Sequence, residues 1–128
     1  MNDALKIFVD ADAFVALARE DDTNHKRAIA CLQNLIEQSV VFITSNYVFS
    51  ESITVISMLK SHEAAVQFIE AMQSPESQYL LKRADEALEE KALQIFKEQT
   101  SKNTSYVDCT NMAFMRQLHI DPTSYATR

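Results

Sequence analysis

The stretch KIFVDADAFVALARE, residues 6–20, decides how the rest of the chain is read. The apolar β-formers Ile7, Phe8 and Val9 end at Asp10, and Asp12 follows two residues later. From Ala11 onward the apolar residues Phe14, Val15, Leu17 and Ala18 recur at helical spacing. The pattern predicts a buried strand over Lys6–Val9 and a helix over Ala11–Arg19. Asp10 and Asp12 then admit two readings. They are helix caps that suit the positive end of the dipole, or they are ligand groups beyond the carboxyl end of a strand.

Working outward, the polar Glu20–Asn24 precedes a helix striped by Ile29, Leu32, Leu35 and Ile36. Val40–Ile43 reads as a strand leading into Thr44-Ser45. The helix Asn46–Leu59 carries Val48, Ser52, Val55 and Leu59 on one side and Phe49, Ile53 and Ile56 on another, which predicts a central helix buried on two sides. Ser61 caps a helix striped by Ala65, Phe68, Ile69 and Met72, and Pro75 ends it. Gln78–Leu81 is a weak strand. Asp85 caps a helix bearing Leu88, Ala92, Ile95 and Phe96. The polar Thr100–Thr104 leads to a helix over Tyr106–Leu118 and a last short strand over Ser124–Thr127. Strands separated by helix pairs must be joined by crossovers. The expected fold is α/β: one domain over residues 1–128, three-layer α/β/α, with a central, mainly parallel sheet.

Composition narrows the chemistry. The 128 residues are 47% hydrophobic, enough for a packed core. No apolar run reaches the ~18 residues of a membrane span, and the N-terminus lacks a signal-peptide layout. Cys31 and Cys109 make no disulfide framework, so reduced thiols and a cytoplasmic setting are expected. The net charge of −6 argues against nucleic-acid binding by bulk electrostatics, yet leaves room for acidic residues that hold metal ions. The chain has no glycine, which excludes glycine-rich phosphate loops.

Two further acids stand out. Glu51, in TSNYVFSESITVI (44–56), sits about a turn into a helix among apolar and small neighbours. Asp108, in SYVDCTNMAFMRQL (105–118), lies at a helix start, where Ser105-x-x-Asp108 resembles a capping box. Asp10, Glu51 and Asp108 thus fall at one topological edge of the expected sheet. Were they to converge to ~5 Å, three pairs at roughly 3 kcal/mol each would approach a domain's whole stability. Helix dipoles return only ~0.3–1 kcal/mol each. A divalent cation or protonation is then required, and hard carboxylate oxygens favour Mg²⁺ or Mn²⁺.

The segments FVDADAF, TSNYVFSE and SYVDCTNMAFMRQL, in this order across nearly the whole chain, resemble the PIN (PilT N-terminus) domain family, closest to its VapC-like toxin branch. The resemblance implies a Mg²⁺- or Mn²⁺-dependent endoribonuclease. Asp10, Glu51 and Asp108 would be the catalytic metal ligands, with Glu51 also orienting the nucleophile. It places Asp12 in a supporting position, with Thr44 and Ser45 bonding to a carboxylate or to bound water. It also implies an RNA substrate, an antitoxin protein and, as is common in the family, a homodimer. One departure is visible. The family's fourth acid, in a pattern like T-x-D-x-x-F, would fall about where PTSYATR ends at Arg128, and Asp121 is on the wrong side of the last strand to replace it. Either the chain is cut before that motif or the ligand is lacking.

The remaining candidates read as ordinary structure. His25, His62 and His119 lack ligand spacing, Cys109 reads as a core thiol, and Lys82, Arg83, Lys102 and Arg116 as solvated surface that can meet an RNA backbone. Two other functions compete. One is a catalytically degenerate PIN domain that binds RNA or protein. The other is a haloacid-dehalogenase-type phosphatase, suggested by the Asp-x-Asp after an apolar strand.

Overall fold

The computed structural model describes residues 5–19, 25–37, 39–121 and 124–126. Ten elements follow in order: β1 (Lys6–Val9), α1 (Ala11–Ala18), α2 (His25–Glu37), β2 (Val41–Ser45), α3 (Asn46–Leu59), α4 (His62–Gln73), β3 (Tyr79–Lys82), α5 (Glu86–Glu98), α6 (Tyr106–Gln117) and β4 (Tyr125–Ala126). Each pair of successive strands is separated by two helices, as the sequence pattern requires. Among the described residues the four strands form one sheet in the order β3-β2-β1-β4, and all three pairings are parallel. The architecture is the expected three-layer α/β/α. The polar segment Glu20–Asn24, and the end of the predicted last strand at Thr127, lie outside the described residues.

The order of strands makes a switch point. From β1 the chain steps to β2 and on to β3, then returns to lay β4 along the other side of β1. Ligand crevices in open α/β sheets form where the order reverses, outside the carboxyl ends of the strands. The register pairs Phe8 with Ile43, Ser45 with Lys82, and Val9 with Ala126, so the carboxyl ends of all four strands meet at one edge. Asp10 is the first residue past that edge on β1.

The core follows from the apolar runs. Phe8 is fully buried, with ring centroids 6.0 Å from Phe114 and 6.2 Å from Tyr125, which ties β1 to α6 and β4. Phe14 packs 5.2 Å from Phe68 and 5.0 Å from Tyr79, which seats α1 against α4 and β3. Burying a side chain such as Phe8 contributes roughly 2–3 kcal/mol. Thr44 adds a polar link, donating its hydroxyl to the Val9 carbonyl at 2.9 Å between β2 and β1.

Some helix faces differ from the sequence reading. α3 buries Val48, Ser52 and Ile56 fully, while Phe49, Ile53 and Val55 are partly buried, Phe49 against Phe68 and the other two against the cluster around Ile56. Met58 and Leu59 at its end are 78% and 51% exposed. Ile29 and Ile36 of α2, and Phe96 of α5, are also exposed, while Leu32, Leu88, Ala92 and Ile95 pack on the core. Helical spacing identifies an apolar stripe, but its width at each end depends on how far the neighbouring layer extends.

With no glycine available, the turn after α6 is closed by His119 in the left-handed region (φ 55°). The His119 N–H donates to the Arg116 carbonyl and the Ile120 N–H to the Met115 carbonyl, the two bonds of a Schellman stop. His25 is structural too, with Nδ1 2.9 Å from the Ala16 carbonyl where α2 meets α1. Cys31 is exposed and Cys109 buried, and both are free thiols.

Candidate active site

Five helices have described caps, and four of them behave alike. Ser45, Ser61, Asp85 and Ser105 each accept from the N–H three residues on, at Val48, Ala64, Leu88 and Asp108. Asp10 does not. Its Oδ1 accepts from the N–H of the very next residue, Ala11, at 2.8 Å. The carboxylate is turned away from the helix's inner amides and toward α6 and β4. There Oδ1 also accepts from Asn111 Nδ2 at 3.1 Å, and Oδ2 accepts from the Tyr125 hydroxyl at 2.7 Å. Asn111 Nδ2 donates its other hydrogen to the Tyr125 oxygen at 2.9 Å, closing a three-membered ring of side chains. Asp10 is 8% exposed. Burial first, and the bond to Asp10 second, hold the Tyr125 phenol well above the ordinary tyrosine range, so it remains a proton donor.

Glu51 is half-buried on α3, one turn in from the sheet edge. Its proton affinity is raised above the ordinary carboxylate value, first by burial and then by the charges of Asp10, Asp108 and Asp12. The fold therefore brings Asp10, Asp108 and Asp12 within electrostatic reach of Glu51. Asp108 lies at the third position of α6 and completes a capping box: its N–H donates to Ser105 Oγ at 3.0 Å, and its Oδ2 accepts from the Ser105 N–H at 2.9 Å. Capping thus occupies one oxygen of Asp108 and is compatible with a second role. The neighbouring Cys109 thiol is pushed up, by burial and then by Asp108, which suits a core thiol.

The other sequence candidates fall into place around these. Asp12 is exposed in the first turn of α1, close enough for its charge to act on Glu51. Thr44 and Ser45 are fully buried, and their hydroxyls engage the Val9 carbonyl and the Val48 N–H. Lys82 and Arg83 stand at the end of β3, on the same sheet edge as Asp10. Arg116 shares with Asp108, Asn111, Met112 and Tyr125 the wall of a cavity of about 500 Å³. A cavity of about 530 Å³ lies elsewhere, among Phe14, Leu32, Phe68, Met72 and Tyr79, away from the acids.

Asn111 and Tyr125 were not singled out from the sequence. Asn111 is three residues after Asp108 on one helix face, a spacing that could have flagged it. Tyr125 carries no local signal, since only strand pairing sets it beside Asp10.

Among the described residues, no three His, Cys, Asp or Glu side chains are close enough to enclose a metal ion. The donor set nonetheless suits one kind of ion. Mg²⁺ and Mn²⁺ accept one or two carboxylates and keep several waters, whereas Ca²⁺ and Zn²⁺ sites draw on fuller protein cages. An edge bearing hard oxygens from Asp10, Glu51 and Asp108, with Glu51 raised first by burial and then by its acidic neighbours, fits the former. Among the described residues the buried Asn111 Oδ1 has no hydrogen-bond partner, so the edge also keeps an unused oxygen acceptor.

Comparison with known proteins agrees with this fold. The family model described as PIN domain matches residues 7–121. Six solved chains match, among them VapC20 of Mycobacterium tuberculosis, a toxin that cleaves the Sarcin-Ricin loop. It is 30% identical, with a TM-score of 0.77, over 89% of this chain and 84% of that one. No curated protein matches by sequence. The haloacid-dehalogenase reading falls here, because Asp108 opens α6 rather than following a strand. With one parallel sheet whose successive strands are joined by helix pairs, and the family match running from β1 through α6, the chain belongs to the PIN domain family, in its VapC-like branch.

Proposed function

We propose that this protein is a metal-dependent endoribonuclease that acts as the toxin of a toxin–antitoxin pair in the cytoplasm. The observation that carries the reading is the Asp10 cap. It alone among the described caps forgoes the inner helix amides, and it does so at the sheet edge where Glu51 is raised first by burial and then by three other carboxylates. Kinship with a toxin that cleaves the Sarcin-Ricin loop supports RNA as substrate and a protein antitoxin as partner.

Asp10, Glu51 and Asp108 would hold Mg²⁺ or Mn²⁺. Such a cation supplies positive charge against the phosphodiester and lowers the pKa of water. Glu51, on the same edge, would also orient an attacking water. Arg116 at the cavity wall and Lys82 and Arg83 at the sheet edge are placed to meet phosphates of the RNA strand.

The test is RNA cleavage with Mn²⁺ or with EDTA, beside Mn²⁺ binding by calorimetry, for the parent and for Asp10→Asn, Glu51→Gln and Asp108→Asn. The expected result is Mn²⁺-dependent cleavage that each variant reduces by about 100-fold or more, a typical yield of metal-assisted and acid–base groups. Cleavage that persists in EDTA, or that survives all three substitutions, would refute it. A binding-only PIN domain is the second reading, favoured by the want of three enclosing ligands among the described residues. It predicts RNA binding with no cleavage under any metal.

A further inference from the structure

A carboxylate has about four lone-pair positions, two on each oxygen. At Asp10 three are taken by protein donors. Oδ1 accepts from the Ala11 N–H at 2.8 Å and from Asn111 Nδ2 at 3.1 Å, and Oδ2 accepts from the Tyr125 hydroxyl at 2.7 Å. Among the described residues one position remains, on Oδ2.

The orientation of the donors is not arbitrary. Asn111 spends both amide hydrogens, on Asp10 and on the Tyr125 oxygen. Turning the amide over would set its carbonyl oxygen 3.1 Å from the Asp10 carboxylate, with no hydrogen between them. The Tyr125 hydroxyl accepts from Asn111 and so must donate to Asp10. Asn111 is 1% exposed, and among the described residues its Oδ1 has no hydrogen-bond partner. A fold seeking only to satisfy this amide would have paired that oxygen. The side chain is arranged for what its nitrogen does.

We propose that Asn111 and Tyr125 are positioning residues that occupy the other lone pairs of Asp10 and leave Oδ2 as its single ligating atom, so that it engages a divalent cation through one oxygen. This rests on the metal-dependent reading above. One-point carboxylate ligation suits small octahedral ions such as Mg²⁺ and Mn²⁺, while Ca²⁺ readily takes both oxygens of a carboxylate. The ring therefore selects among cations as well as orienting the ligand. Donors behind a ligating carboxylate typically contribute 10–100-fold in metal affinity.

The experiment uses the full chain, freed of metal, and measures Mn²⁺ and Ca²⁺ dissociation constants by calorimetry with a urea midpoint for each variant. Tyr125→Phe keeps the ring against Phe8 and removes only the hydroxyl. It should weaken Mn²⁺ binding about 10–100-fold, and lower kcat for RNA more than it changes KM. Asn111→Leu removes one of the two donors from Oδ1 and opens one lone pair of that oxygen, so the Mn²⁺-to-Ca²⁺ preference should fall. A purely structural role would move the urea midpoint and leave that ratio alone. Tyr125→Phe with parental Mn²⁺ affinity would overturn the inference. So would a parent that binds Ca²⁺ as tightly as Mn²⁺, a result that needs no variant to fold. A parent that binds neither ion refutes the metal-dependent reading itself, which separates the two failures.

Discussion

Replacing Glu51 by Gln should stabilise the metal-free protein while abolishing its activity. The Glu51 carboxyl is raised above its ordinary 4.5 by burial first, then by Asp10, Asp108 and Asp12. The folded chain thus binds this proton more tightly than the unfolded chain does. Linkage fixes the sign: the ionisation penalty is absent below 4.5 and complete once the pH exceeds the raised folded value. Glu51→Gln keeps the shape and removes the charge. In a half-exposed site solvent screening reduces each like-charge repulsion to about 0.3–0.5 kcal/mol. Three such neighbours and partial desolvation come to about 1–1.5 kcal/mol, or about 3–6 °C in Tm for a domain of this size. Urea denaturation in EDTA should show that gain at pH 7 and little of it at pH 4. Mn²⁺ should reverse the order, since the parent gains about 2.7 kcal/mol at a hundredfold excess over Kd and the variant gains less. The reasoning is refuted if the variant is less stable than the parent in EDTA at pH 7, or if its advantage is the same at pH 4.

Two further substitutions separate local structure from function. Ser105→Ala removes the acceptor for the Asp108 N–H and should cost about 1 kcal/mol by urea denaturation. It should leave Mn²⁺ affinity as it was, because the Ser105 N–H still holds Asp108 Oδ2; unaltered stability would count against the capping box. His119→Gly should gain about 0.5 kcal/mol, the relief of a left-handed residue (φ 55°) less the added entropy of an unfolded glycine. A lower urea midpoint would show that the His119 side chain contributes more than its backbone costs.

Much of the architecture was legible in the chain. Lys6–Val9, Asn46–Leu59 and the caps at Ser61, Asp85 and Ser105 follow from local rules of period and hydrogen bonding, and the structure bears them out. The exposure of Met58, Leu59 and Phe96 was not legible, because periodicity marks a stripe without marking where the neighbouring layer stops. Of the proposed site, the acids Asp10, Glu51 and Asp108 were picked out, each by a local oddity: a charge ending a buried strand, a lone carboxylate on an apolar helix, and an acid in a first turn. Asn111 and Tyr125 could not. An asparagine inside a helix and a tyrosine in a short strand are ordinary in every local respect.

The sequence by itself determined the elements, their parallel pairing and the edge at which the acids gather, because alternation of strands and helix pairs permits few topologies. Only the tertiary structure decided that Asp10 turns from its own helix toward residues 101 and 115 positions away in the chain. That choice depends on the register of β4 against β1, which places Tyr125 beside Phe8, and on the face that α6 presents to the sheet. Both are settled by long-range packing around Phe8, which no local pattern encodes.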